Sequence, residues 1–518
     1  MNVPPCLASG IPVAEAGIIG TMDSNVPPLI QALLAPWRYP HAVQHVTLVE
    51  THISWVLLAG EFAYKIKKPL KLPFLDFSTL ALRQRYCRDE LLLNRRFAPD
   101  LYLDVVGIFN TPQEPRFDAA GTPPIEYAVK MRRFEEANRL DRLCARGELQ
   151  ARHLSGLADT LAAFHEVAAI APPASRFGTA PQVLAPMQAN FDTLLHQLPQ
   201  VDVQTRLIAL QTWTEAQFGQ LSPLLQSRKQ AGRVRECHGD LHLGNLVLMG
   251  EQVRMFDCIE FNEDFRWIDV ASEIAFPYVD LLAHGQAGLA NWFVNEMLSR
   301  SGDYEAAQLL RLYAVYRALV RAKVAALRSA QTADESAAIE EALAYVALAE
   351  RMVAPPPVRL VITHGLSGCG KTVASNELLQ GDPQAATLRL RSDLERKRLS
   401  GLAPGARSGS GPNAGIYAPD ARLRTYARLR ELAAPLLRAG WSVIVDATFL
   451  KRAERDAFRA LARDTGAAFG ILAPQATPAQ LRERIQARAA LGQDASEATL
   501  DVLAQQMKEI EPLAADET

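Results

Sequence analysis

Two unlike halves follow one another in this chain of 518 residues, and together they predict a multidomain α/β protein. Three observations carry that expectation. Residues 43–134 read as strand, strand, helix, strand, strand, with a long helical stretch after them. A hydrophobic strand around Leu360-Val361-Ile362 runs into Gly365-Leu366-Ser367-Gly368-Cys369-Gly370-Lys371-Thr372 and then into a helix. Directly before that strand, Pro355-Pro356-Pro357 forms a stiff, extended spacer. A chain this long exceeds what one core holds. The boundaries follow as a leader over 1–28, a small lobe over 29–134, a helical lobe over 135–352, a linker over 353–357 and a last domain over 358–518.

The totals exclude more than they specify. A net charge of −2 gives no global case for nucleic acid or a membrane surface. Six cysteines lie scattered with no C-x-x-C pair, which argues against a zinc site or a disulfide framework and fits a reducing cytoplasm. No apolar run approaches the ~20 residues of a membrane span. Residues 1–28 hold five prolines and no Lys or Arg, so they read as a disordered leader, or as an extension upstream of a start at Met22.

In chain order, strands are expected around the turn Thr51-His52-Ile53-Ser54 and again over Phe62–Lys67. Ser78 is the expected N-cap of a helix from Thr79 to Arg96. Strands follow over 101–109 and 125–132. Beyond Phe134 the pattern turns helical, broken by a loop-rich stretch from Val234 to Phe261.

That stretch carries the first site. His238-Gly239-Asp240-Leu241-His242-Leu243-Gly244-Asn245 is followed by a strand leading to Asp257. An acid, an Asn five residues later, then a strand ending in an acid is the arrangement kinases use. The α- and β-phosphates also need a cation held by a helix carboxylate. Lys65 suits this, with Lys67 as the alternative because both share one strand face, and Glu90 is the expected partner. The segment resembles the aminoglycoside phosphotransferase and choline kinase branch of the kinase-like fold, over about residues 43–345. The resemblance implies a bilobal α+β fold, Asp240 as base, Asn245 and Asp257 as metal ligands, and His238 and His242 as loop-shaping residues. It departs from the full kinase pattern in having no glycine loop before Lys65. Asp269 is expected to brace the loop.

In the second half, the phosphate-loop glycines let backbone N–H groups turn toward a polyphosphate at a helix N-terminus. Gly365, Ser367, Gly368, Cys369, Gly370, Lys371 and Thr372 form the expected ATP cradle, with Lys371 on the outer phosphates and Thr372 on Mg²⁺. A strand around Thr387–Leu390 leads to Asp393, an acid among Arg and Lys that suits an acceptor site or, equally, a solvated helix face. The strand Trp441–Asp446 ends in an acid suited to supporting Mg²⁺. Among the later arginines most read as surface charges, with Arg484 and Arg488 the lid candidates. This half resembles the P-loop kinase group that includes polynucleotide kinase, zeta toxin and gluconate kinase. That implies a parallel sheet, flanking helices, a helical lid and Asp393 as the acceptor-side acid. The fused order is similar to bacterial proteins called bifunctional aminoglycoside phosphotransferase/ATP-binding protein.

The function expected is ATP- and Mg²⁺-dependent phosphate transfer to a small-molecule hydroxyl at two sites. The alternatives are a P-loop enzyme with an inactive kinase-like sensor, or an ATP-driven regulatory switch. Basic residues cluster around Arg389, Arg391, Arg396, Lys397 and Arg398, but without the interleaved aromatics of single-strand binders, which argues against nucleic acid. Aminoglycosides are polycations and call for an acidic pocket, a role that Glu263 and Asp264 suit, though they equally suit any polar loop.

Overall fold

The computed structural model describes residues 26–72, 74–117, 122–329, 335–403, 406–410, 415–491 and 497–517, with backbone only for 488–491. The leader expected over 1–28 lies, up to residue 25, outside the described residues.

The chain begins with α1 (Pro28–Leu33), β1 (Val46–Glu50), β2 (Ser54–Ala59), β3 (Phe62–Lys67), β4 (Lys71–Leu72) and β5 (Leu75–Asp76). Next come α2 (Leu80–Asn94), β6 (Tyr102–Asn110), β7 (Pro115–Arg116) and β8 (Glu126–Arg132). The strands form an antiparallel sheet in the order β1-β2-β3-β8-β6-β7. On β3 the alternation of side chains decides everything that follows. Tyr64 and Ile66 pack on one face with Leu57, Ile30 and Leu33. Ala63 lies on the other face, packed with Cys87 of α2, so Lys65 and Lys67 turn toward that helix. The helix starts one residue later than expected: Thr79, not Ser78, accepts from Leu82 N–H, because the Ser78 hydroxyl is held by Asp76.

The helical lobe holds α3 (Leu140–Ala145), α4 (Ala151–Val167), α5 (Ala180–Gln197) and α6 (Val201–Gln230). The loop-rich stretch follows, with β9 (Val234–Glu236), β10 (Leu246–Met249), β11 (Gln252–Met255), α7 (Glu263–Arg266) and β12 (Trp267–Asp269). It closes with α8 (Val270–Ala283), α9 (Ala287–Ser301), α10 (Ala306–Ser329) and α11 (Glu335–Val353). Asp269 is indeed a brace: it caps α8 through Ala271 N–H and pairs with the fully buried Arg228.

The last part comprises β13 (Arg359–Thr363), α12 (Lys371–Gln380), β14 (Thr387–Arg391), α13 (Ser392–Leu399) and α14 (Pro419–Arg438). Then come β15 (Ser442–Asp446), α15 (Arg452–Thr465), β16 (Ala468–Leu472), α16 (Pro478–Leu491) and α17 (Leu500–Glu509). All pairings in the sheet β14-β15-β13-β16 are parallel, and helices flank it, as a P-loop α/β fold requires. One surface expectation fails here. Arg455 is 1% exposed and pairs with Glu517 at 2.7 Å, so it anchors the end of the chain.

The two halves do not hang apart on the proline spacer. One continuous apolar core runs from α8, α9 and α10 into the P-loop sheet through Tyr278, Leu298, Ala307, Leu388 and Trp441. Strand β14 is the sheet edge, and α9 covers it. Asn295 donates to Thr387 O at 2.9 Å and accepts from Arg389 N–H at 2.7 Å, while Asn291 donates to Leu379 O and accepts from Thr387 N–H. Two amides one helical turn apart thus replace a missing neighbour strand.

Candidate active sites

In the first half, α2 aims Glu90 and Asn94 at the sheet, one turn apart and both fully buried. Glu90 receives Lys65 at 2.9 Å and Lys67 at 2.7 Å, so both lysines converge on it. They differ in their second partner. Lys65 also pairs with Asp257, whose side chain is 42% exposed, whereas Lys67 is sealed between Glu90 and Glu260. Burial alone would push the Glu90 carboxyl up, but the two ammonium groups hold it down at about 2. Lys65 stays charged because Asp257 and Glu90 outweigh its desolvation.

The catalytic-loop candidates are fixed largely by backbone contacts. Gly239 has φ +90°, and a Cβ there would lie 2.6 Å from Phe265 O, so only glycine fits the turn. Glu273 of α8 accepts from His238 N–H at 2.6 Å and Gly239 N–H at 3.0 Å, with His165 on its other oxygen at 2.8 Å. Seven residues on, Asp280 accepts from Leu243 N–H at 2.8 Å. His238 donates from Nε2 to Phe256 O, and burial holds its pKa down, so it is a neutral strut. His242 accepts from Gly244 N–H through Nδ1, leaving Nε2–H toward Asp240 at 3.6 Å.

Asn245 donates to Asp240 through Nδ2, at 2.9 Å to its carbonyl and 3.3 Å to its carboxylate, which leaves the amide oxygen for a cation. Asp257 sits at φ +63°, a costly conformation for a non-glycine residue, held by its N–H on the Tyr102 hydroxyl and by Cys258 N–H on Asn94. Asp240, Asn245 and Asp257 therefore offer hard oxygens of the kind Mg²⁺ prefers. The fit is one of chemistry: carboxylates and an amide oxygen, two of the three partly open to solvent.

In the second half, Gly365, Gly368 and Gly370 all take positive φ, and Gly370 at +102° is the N-cap of α12. The Lys371 ammonium curls back onto Gly365 O at 3.0 Å and Leu366 O at 2.8 Å. Thr372 donates to Asp446 at 2.9 Å, so a hydroxyl and a carboxylate stand together as a cation site would need. Ser367, Gly368, Gly370, Lys371, Thr372, Asp393, Asp446 and Arg484 all line one cavity of about 370 Å³.

Asp393 lies in the first turn of α13, just past the strand end expected for it, and pairs with Arg396 at 2.8 Å. Arg396 in turn stacks over Tyr417. Arg484 donates to Gly368 O at 3.3 Å, reaching the loop from α16. Cys369 packs under it with Leu481, Ile485 and Leu503. The side chain of Arg488 lies outside the described residues, as does the loop segment 492–496.

The basic cluster does not form an open patch. Arg389 is buried on Ser375 and Asn376, with burial pulling its pKa down to about 10. Lys397 is buried against Glu497, and Arg398 is used by Glu395 and Ser299 O.

Several site residues escaped the sequence reading. Glu273 and Asp280 were visible as two acids in an otherwise apolar helix, a pattern that signals buried polar work. Gln506, which accepts from Ser367 N–H at 2.8 Å, and Arg422, which bridges Glu454 and Glu509, carried no signal beyond ordinary helix polarity.

Residues 133–310 match the phosphotransferase enzyme family, and residues 360–513 match the AAA domain family. The chain is a fusion of a phosphotransferase-family unit with an AAA-type unit. It is a phosphotransferase enzyme. Uncharacterized proteins of Mycobacterium tuberculosis and Mycobacterium bovis are each 29% identical over 447 residues, which is 86% of this chain and 87% of theirs. Among solved structures, a choline kinase from Cryptosporidium parvum covers 62% of this chain and 96% of its own, at 10% identity and a TM-score of 0.41. An aminoglycoside phosphotransferase from Alicyclobacillus acidocaldarius covers 64% and 94%, at 13% identity and a TM-score of 0.38. No helix among the described residues is long and apolar enough to cross a membrane.

Proposed function

We propose that the protein is a cytoplasmic, ATP-dependent phosphotransferase with two ATP·Mg sites, each moving a γ-phosphate to a small-molecule hydroxyl. The reading assigns one site to the lobes at 29–134 and 135–352 and the other to 358–518, joined by the linker at 353–357. The observation that carries it is the gathering of Lys371, Thr372, Asp446 and Asp393 around one cavity, with the parallel set Lys65, Glu90, Asp240, Asn245 and Asp257 in the first half.

At each site the acceptor oxygen forms a bond to the γ-phosphorus as the bond from that phosphorus to the β-bridging oxygen breaks, and ADP leaves. Asp240 or Asp393 takes the hydroxyl proton. Lys65 or Lys371 steadies the phosphates, and Arg484 closes on the loop. Mg²⁺, held by Asn245 and Asp257 or by Thr372 and Asp446, would supply charge neutralisation of the triphosphate.

A second reading keeps catalysis in the P-loop half and makes the first half a nucleotide sensor. It is favoured by the three residues joining β1 to β2, Thr51-His52-Ile53, which contain no glycine to cover phosphates. The test is transfer from γ-labelled ATP with Mg²⁺ into a bacterial metabolite extract, for wild type, Asp240→Ala and Lys371→Ala. Two labelled products lost separately support two kinases. Retention of every product in Asp240→Ala sinks the two-site reading and leaves the sensor.

A further inference from the structure

Arg317 is 96% removed from solvent, yet its guanidinium meets no carboxylate among the described residues. Among the described residues it makes a single hydrogen bond, from Nε to Ser272 O at 3.2 Å, and it lies by two aromatic faces, 4.6 Å from Phe276 and 5.1 Å from Tyr316. Among the described residues its two terminal nitrogens have no acceptor, and neither is sealed from solvent. A buried cation with an idle end is costly unless a ligand or counter-ion completes it. The other buried arginines in this lobe are completed by acids: Arg228 by Asp269 and Asp303, and Arg266 by Glu236.

The position of Arg317 gives that idle end a purpose. Ser272 directly precedes Glu273, which holds His238 and Gly239. Phe276 stands between Arg317 and His242, whose ring is 5.9 Å away and which flanks Asp240. Tyr316 is near enough to Asp240 for that carboxylate to raise its pKa in addition to burial. One turn before Arg317, the Tyr313 hydroxyl is buried without a partner among the described residues. Arg321, one turn after, is engaged elsewhere: it donates from Nε to the Tyr345 hydroxyl at 3.3 Å and lies 3.8 Å from Asp280.

Two acids near the loop each have a cationic partner. Glu263 pairs with Arg266 and Asp264 with Arg176.

We propose that the kinase-like half contains an anion subsite built on Arg317 and Tyr313, and that its acceptor carries a carboxylate or phosphate beside the hydroxyl to be phosphorylated. The proposal rests on the reading of Asp240 as the base of a transfer site. A planar guanidinium set beside two rings is pre-set for two-pronged binding of such an anion, and the Tyr313 hydroxyl supplies a further donor. Discrimination against amino alcohols follows, because an ammonium group placed there would face an uncompensated cation.

The test uses the full chain with Lys371→Ala, which silences the P-loop half. Equilibrium binding of inorganic phosphate is measured with and without Arg317→Gln, Arg317→Lys and Tyr313→Phe. The expected result is a 10- to 100-fold loss of affinity in Arg317→Gln, partial retention in Arg317→Lys, and about a threefold to tenfold loss in Tyr313→Phe. Should Arg317→Gln fail to fold, the other two variants decide the matter. Unchanged binding in all folded variants overturns the subsite.

In parallel, label transfer from ATP is compared for glycerate and glycerol 3-phosphate, for glycerol, and for choline and ethanolamine. Preference for the two anions, with KM rather than kcat raised in Arg317→Gln, supports the proposal. Equal or better transfer to the neutral or cationic compounds overturns it. Loss of all transfer in the metabolite extract would instead remove the catalytic reading, while phosphate binding would still report on the subsite by itself.

Discussion

Asn295 binds Arg389 through the backbone: its amide oxygen accepts from Arg389 N–H at 2.7 Å, while its amide nitrogen donates to Thr387 O at 2.9 Å. The edge strand of the P-loop sheet is thus completed by a helix of the kinase-like half. Asn295→Leu keeps the volume and removes both bonds. It is expected to destabilise the protein by about 2–4 kcal/mol, since two buried backbone groups lose their partners. Urea unfolding of wild type should show one transition for both halves, and the variant should separate an early loss of P-loop nucleotide binding. A single transition at an unchanged midpoint would mean that the amides contribute nothing.

Glu273 gives the pH dependence. Burial would raise its carboxyl pKa, but the His165 hydrogen bond, the electrostatic attraction of the His165 and His238 rings and the Gly239 amide bring it to about 2, against an ordinary 4.5. A depressed carboxyl contributes stability that is full above pH 4.5 and drains away as pH falls toward 2. The contribution is about 3 kcal/mol. Glu273→Gln should lose that amount at neutral pH and show a flatter stability curve between pH 4.5 and 2. Its transfer activity at the Asp240 site should fall as well, because His238 and Gly239 lose their shared acceptor.

Much of the fold and of the grouping of candidate residues is legible in the sequence. Spacing alone joined Asp240 to Asn245 and Asp257, because kinase chemistry needs those groups at short range along the chain. The glycines around Lys371 were equally plain, since positive φ and close backbone approach leave a compositional mark. Lys65 could not be separated from Lys67 because a period of two puts both on one face, and only the second partner, Asp257 or Glu260, tells them apart. Arg455 was misplaced on the surface because its partner, Glu517, lies 62 residues away and a helix pattern says nothing of such pairs. Arg317 left no trace for a related reason: what sets it apart is a missing acid, and absence of a partner is a three-dimensional fact.

The lysine pair separates stability from activity. Lys67→Met strands Glu260 in the interior beside Glu90, which keeps only Lys65, and should cost about 3–5 kcal/mol. Lys65→Met leaves Glu90 with Lys67 and frees the partly exposed Asp257, so its cost should be smaller, about 1–2 kcal/mol. Its label transfer at the Asp240 site should nevertheless fall at least 100-fold. Thermal melts beside transfer rates check both. The reverse pattern would assign the phosphate to Lys67.

Arg455 and Glu517 join α15 to the chain end, both buried, at 2.7 and 2.9 Å. The Arg455 hydrogen bond leads in holding the Glu517 carboxyl down at about 2. Removing one partner leaves the other buried and uncompensated, so Glu517→Gln should destabilise the protein by about 3 kcal/mol. Arg455 also holds Phe449 O and Pro512 O, so Arg455→Met should cost more than Glu517→Gln. Equal melting temperatures for wild type and Glu517→Gln would show that solvent replaces the pair.

Thr372 and Asp446 meet at 2.9 Å across the mouth of α12, and the contact ties the phosphate loop to the end of the central strand β15. If that pair holds the cation, Asp446→Asn should weaken Mg²⁺ binding rather than nucleotide binding itself. ATP turnover at the Lys371 site should then require at least tenfold more Mg²⁺, while ADP binding without metal changes little. Chelation by EDTA should abolish turnover in wild type and variant alike, with recovery on adding Mg²⁺ back. Thr372→Val should reproduce the Mg²⁺ shift, because it removes the hydroxyl and keeps the shape. Lys371→Ala should instead reduce nucleotide affinity at every Mg²⁺ concentration, since its ammonium acts on the phosphates directly. A common defect in all three variants would mean that the Thr372–Asp446 contact serves the fold of the loop, and the cation would have to be sought elsewhere in the cavity.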